Sequence, residues 1–166
     1  IGKLEPGTYY LYETTAPAGY VEPAEDADPI VITVTKGSDD KVTVTVTGAA
    51  IEYNETNKLY TITVENEQIK TSVEAEKVWS DNNNQDGKRV DVTFVLSGTY
   101  TDKEGTSHDV TVANSTRSIS ATATGDALKV KWEDIPAYEN GYLITYTVTE
   151  QGATNGKITM KDGAEY

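Results

Sequence analysis

The segment YLITYTVTE, residues 142–150, alternates in character with a strict period of two. Successive side chains on a strand point to opposite faces. Tyr142, Ile144, Tyr146, Val148 and Glu150 therefore share one face, and Leu143, Thr145, Thr147 and Thr149 share the other. A stretch of this kind folds as a half-buried strand. The same pattern recurs in IVITVT, KVTVTVT, LYTITVEN, VDVTFVLSG and HDVTVAN, and more weakly in SISATAT and LKVKWEDI. Turn-forming stretches such as KGSDD, YNETN, DNNNQDGKR and PAYENG separate these runs, and EQIKTS reads as a short connector. No apolar stripe repeats at the helical period. Thr and Val dominate, with 11 Tyr and 2 Trp against 1 Phe, residues that suit a pleated surface. The chain is predicted to be all-β.

The alternation also shows which polar residues face the core. Glu150 ends the apolar face of YLITYTVTE. In VEAEKVW, Lys77 shares a face with Val73, Ala75 and Trp79. In YTITVEN, Asn66 falls in line with Tyr60, Ile62 and Val64, and near the start Glu13 follows Tyr9 and Leu11. Each alone reads as a strand-end residue reaching water, and Lys77 as a charge guarding an exposed edge. Together, two acids, an amine and a carboxamide at inward positions point to chemistry. Burial favours the neutral forms of amines and carboxylic acids. A neutral amine is a nucleophile. A protonated carboxylic acid can polarise a carboxamide beside it. Attack of the amine on that carboxamide releases ammonia and leaves an isopeptide bond.

Charge and composition exclude several other roles. The net charge of −13 argues against nucleic acid, which needs a basic footprint, and against an anionic membrane surface. No apolar run approaches transmembrane length and no signal peptide is visible, so the chain reads as a mature or excised segment. There is no cysteine, so neither a disulfide nor a thiol nucleophile is available, and a lone His108 cannot build a His-based zinc site. With Asn82 at position 1 of a calcium loop, Asn84, Asp86 and Gly87 fall in register, but Thr93 stands at position 12, where a bidentate Glu is needed. DNNNQDGKR therefore reads as a solvated turn. The sequons NET, 54–56, and NST, 114–116, fit the N-glycosylation pattern and would mean little if the protein were bacterial. No cofactor and no metal are expected.

At this point the residues resemble a known family. YYLYETTAPAGY is similar to the E-box of Gram-positive pilins and surface adhesins. EKVWSDNNNQDGKRVDVTFVL, followed by WEDIPAYENGYLITYTVTE, resembles the B-type repeat of collagen adhesins (CnaB). The resemblance covers nearly the whole chain. It implies tandem immunoglobulin-like β-sandwich domains. In each, Lys on the first strand bonds Asn on the last, and a Glu on the E-box strand catalyses the reaction. By position it makes Lys77 and Glu150 the nucleophile and catalytic acid of a second domain, 71–166, and Glu13 and Asn66 the catalytic acid and acceptor of a first, 1–70. GTYYLYETTAPAGY and GYLITYTVTEQGATNG are weakly alike, as two such units would be.

The pattern also has departures. Lys3 is too near the Pro6–Gly7 turn to supply the first unit's amine, and Asn155 sits in a Gly-flanked turn, a poor acceptor for the second. Both domains read as incomplete at the chain ends, and neither crosslink is expected to close in the family's way within this chain alone. What the resemblance implies is a structural stalk segment at the cell surface or cell wall. Its partners would be neighbouring domains of the same protein, sortase-linked cell wall or pilus subunits, and a host ligand. Rival readings are a binding module for host matrix or glycan, and a ligase half completed by a strand in trans. A bond closing a loop of roughly a hundred residues would contribute about 4–5 kcal/mol by analogy with a disulfide.

Overall fold

A computed structural model of the chain describes residues 4–151 and the backbone at 153–154 and 157–158. The strands fall into two compact units, Ile1–Gln68 and Ile69–Tyr166. The chain is all-β, with one turn of 3-10 helix among the described residues.

In the first unit, β1 (Gly7–Leu11) pairs antiparallel with β2 (Ile30–Lys36), which pairs with β3 (Val42–Thr47). Alternation in β2 buries Ile32 and Val34, and the register sets Ile32 between Tyr9 and Val46. The β2–β3 turn closes through Asp40, whose φ of 62° is left-handed, and the Gly37 N–H donates to the Lys41 carbonyl. A hairpin follows, β4 (Ala50–Asn54) with β5 (Leu59–Thr63), in which the rings of Tyr53 and Tyr60 lie 4.6 Å apart across the strands. AIEYN was not expected to be a strand. It follows the Gly48 turn directly and carries little alternation, yet it pairs fully with β5.

The second unit is a sandwich of two sheets. One pairs β6 (Lys70–Glu76) with β10 (Lys129–Pro136). The other centres on β7 (Val92–Thr101), which pairs with β13 (Thr145–Glu150) on one edge and with β8 (Ser107–Val110) and β9 (Thr116–Ile119) on the other. Val92, Phe94 and Leu96 of β7 and Ile119 of β9 meet Trp132 and Ile135 of β10, with Val73 and Ala75 of β6 packed against them. A β-bulge in β10 makes this possible. Trp132 and Ile135 are three residues apart and would face opposite ways in a regular strand. The register slips by one residue between them, at Asp134 with φ 54°, and both side chains turn inward.

Three expectations shift in detail. EQIKTS is not wholly a connector, because β6 begins at Lys70, and it stops at Glu76, one residue before Lys77. SISATAT gives only the end of β9, followed by a turn and the 3-10 turn Gly125–Leu128. YLITYTVTE is interrupted. Its first two residues form β12 (Tyr142–Leu143), a tight hairpin with β11 (Tyr138–Glu139) about left-handed Asn140 and Gly141. The Ile144 N–H then donates to Ala137 before β13 begins, and the inward face runs unbroken from Ile144 to Glu150. The backbone at 153–154 pairs with that at 157–158.

Trp132 is 1% exposed and donates its indole N–H to the Ser115 carbonyl at 3.0 Å. Trp132→Ala is expected to cost about 3–5 kcal/mol by leaving a cavity. A Cβ on Gly98 would sit 3.1 Å from both Ile144 Cγ2 and Tyr146 Cε1, so Gly98→Ala is expected to cost about 1–3 kcal/mol. Urea midpoints of the two variants check both figures. Wild-type midpoints would show that this core does not carry the unit.

Candidate functional site

Glu150 is the last residue of β13, opposite Phe94 of β7, and the ladder runs one bond further through the Gln151 N–H to the Thr93 carbonyl. Its place on the inward face follows from that register. Lys77 comes from the other sheet. It lies just past β6, where its N–H donates to the Leu128 carbonyl at 2.8 Å. The two side chains meet across the sandwich, with Lys77 Nζ 3.0 Å and 3.1 Å from the two carboxylate oxygens of Glu150. Their side chains are 14% and 18% exposed, and the amine lies 4.5 Å from the centre of the Trp79 ring. A charged pair so far withdrawn from water is held by good geometry on both sides. At this distance a proton can pass directly between amine and carboxylate.

Glu13 and Asn66 also meet. Asn66 Nδ2 donates to Glu13 Oε1 at 2.8 Å. Asn66 lies beyond β5, beside the bridge between Tyr20 and Gln68, and the Val21 N–H donates to the Glu67 carbonyl at 2.8 Å. The loop leaving β1 is pinned by Glu22, whose carboxylate accepts the Ala16 N–H at 2.8 Å. The expectation of a buried Glu13 is corrected, because its side chain is exposed and Asn66 is only half-buried. The reason is local. β1 ends at Leu11 and β5 at Thr63, so the alternation that governs each strand has stopped before either residue. Lys3 and Asn155 lie outside the described residues.

The loop after Trp79 holds a second ion pair that spacing did not reveal. Arg89 Nε and a terminal guanidinium nitrogen reach the two oxygens of Asp81 at 2.6 Å and 2.7 Å, and these side chains are 13% and 2% exposed. Asn82, Asn83 and Asn84 are all left-handed, which folds the loop back so that residues eight apart can pair. Three further hydrogen bonds lie within the loop itself. Asn84 Oδ1 accepts the Arg89 N–H, Asp86 Oδ1 accepts the Lys88 N–H, and Asn82 donates to Gln85. The run of three Asn, a residue that tolerates left-handed backbone, was the available signal. Arg89 also lies over the Trp79 ring, 5.2 Å from its centre.

The guanidinium of Arg89 holds the Asp81 carboxyl below the usual carboxylate range, and His108, 2.7 Å away, does the same for Asp102. Each depressed carboxyl contributes stability that is fully present above the ordinary value of 3.8 and lost as pH falls through its lower, folded-state value. The second unit is therefore expected to lose stability as pH drops below about 4. Asp81→Asn should flatten that loss in urea denaturation series at pH 7 and pH 3. An unchanged acid slope in Asp81→Asn would show that this carboxyl is not linked to folding.

Comparison with known proteins follows the same division of the chain. Residues 73–165 match the family model described as Cna protein B-type domain, and residues 1–50 match that of a prealbumin-like fold domain. An 83-residue stretch, 48% of the chain, is 34% identical to a collagen adhesin of Staphylococcus aureus. It spans 6% of that relative's length. No solved structure matches the chain.

Proposed function

The chain belongs to the Cna protein B-type domain family, and from that premise we propose that it is a structural stalk segment of a Gram-positive cell-surface adhesin or pilin, locked by Lys–Asn isopeptide bonds that it forms itself. Residues 1–70 belong to one such domain and 71–166 to a second. The segment works outside the cell, on the surface or cell wall. Its partners are neighbouring domains of the same protein and, beyond them, sortase-linked wall or pilus subunits. The likeness to a collagen adhesin adds collagen as a host ligand of the whole protein.

The observation that carries the reading is the contact of Lys77 Nζ with both oxygens of Glu150, bridging the two sheets in a half-buried position. Glu150 takes a proton from Lys77. The freed amine attacks the side-chain carbonyl carbon of an Asn, while the protonated Glu150 hydrogen-bonds to the amide oxygen and polarises it. A second amine proton passes through Glu150 to the departing nitrogen. One C–N bond forms, one breaks, and ammonia leaves. No cofactor takes part, and the reaction happens once per molecule, so the protein is not an enzyme in turnover. In the first unit Asn66 Nδ2 is the nitrogen that would leave, and Glu13 already touches it at 2.8 Å. An amine is the third member that pair needs.

The covalent link would carry load in place of the hydrogen-bond ladder, which suits a stalk without disulfides. Digestion of the surface protein as cells display it is expected to yield a branched peptide joining Lys77 to an Asn, lighter by one ammonia than its two linear parts. Glu150→Ala should return the linear peptides. A free Lys77 in the wild-type digest would overturn the proposal, as would a branch that persists in Glu150→Ala.

A further inference from the structure

The loop 80–89 has no part in the crosslinking step, yet it is built at some cost. Asn82, Asn83 and Asn84 have φ of 53°, 60° and 59°, three left-handed residues in succession, a conformation that Asn tolerates better than most L residues but visits as single residues. The structure held in place by that backbone is the Asp81–Arg89 fork, in which Asp81 also accepts the Asn84 N–H at 3.2 Å. The fork ends on Trp79. β6 stops at Glu76, the Lys77 N–H makes the last bond to Leu128, and Val78 points into solvent. Trp79 thus lies beyond the β6–β10 ladder. Its ring is held by packing against the core cluster and by two cations, Arg89 at 5.2 Å and Lys77 at 4.5 Å.

These contacts form a continuous chain from Asp81 through Arg89 and Trp79 to Lys77 and Glu150. Because Asp81 engages both ends of the guanidinium fork, Arg89 is fixed in direction and its charge is offset. It can press on the indole without presenting a naked cation to the neighbouring amine.

We propose that the Asp81–Arg89 pair is a positioning device for Lys77, acting through Trp79: it holds the indole against the amine, which keeps the amine on Glu150 and away from water. The proposal rests on the crosslinking reading for its purpose. Its test does not, since it reads the amine's accessibility and not the bond.

The 166-residue chain is pulse-labelled with an N-hydroxysuccinimide acetate, and each lysine is quantified by mass spectrometry against Lys103, whose side chain is 77% exposed. Lys77 should label slowly in the wild type. Asp81→Asn and Arg89→Lys should each raise its labelling by about 2- to 30-fold, the range spanned by loss of a cation–π contact, and Trp79→Leu should do the same. Asp81→Asn should add nothing in the Trp79→Leu background, because its effect passes through the ring. Lys77 labelling unchanged in Asp81→Asn and Arg89→Lys would overturn the proposal, as would an undiminished effect of Asp81→Asn without Trp79. If Asp81→Asn does not fold, seen as a rise at every protected lysine, Arg89→Lys alone and in the Trp79→Leu background decides by the same two outcomes. Protection of Lys77 without a branched peptide would count against crosslinking and leave the positioning intact. A branched peptide with Lys77 indifferent to Asp81 would do the reverse.

Discussion

The second unit depends on the register of β7. This strand pairs on both edges, supplies Val92, Phe94 and Leu96 to the core, and sets Glu150 opposite Phe94. A slip of one residue between β7 and β13 would turn Glu150 outward together with Tyr146 and Val148. The burial of those apolar neighbours therefore holds the carboxylate on the inward face, and Lys77 reaches it from the opposite sheet. Gly98 is part of the same arrangement, since a Cβ there would crowd Ile144 and Tyr146 at 3.1 Å.

The Lys77–Glu150 contact thus follows from ordinary sandwich packing. One member ends a strand of one sheet and the other lies just beyond a strand of the facing sheet, so the two meet where the layers close. Such a site is half-buried, at 14% and 18% exposure, and not sealed. Withdrawal from water raises the cost of separate charges, and the two-oxygen contact offsets it. The ring of Trp79 lies 4.5 Å from the amine, and Arg89, 5.2 Å from the same ring, is paired with Asp81. In the first unit the corresponding acid touches a carboxamide in the open, where water competes for both groups.

Much of this was legible in the residues because strand alternation is a strong, local signal. It identified β2, β3, β7, β10 and β13, and it put Glu150 on the core face where the structure has it. It failed where strands end early. Glu13 and Asn66 were assigned to faces by extending a period past Leu11 and Thr63, where the ladder no longer enforces it. It was silent on β4, whose five residues barely alternate, and on the phase shift of the β10 bulge at Asp134. The Asp81–Arg89 pair was hidden for a different reason. Seven residues of loop lie between its members, and the folded path of Asn82–Asn84 brings them together.

The central claim is that Lys77 and Glu150 serve a covalent lock that spans the sandwich. Pulling single molecules of the surface protein from its two ends tests this most directly. A locked unit cannot lengthen, so the trace should show no extension step from it before the tether fails. An unlocked unit would add a step of roughly 300 Å as about 90 residues straighten at about 3.4 Å each, and such a step in the wild-type protein would contradict the account.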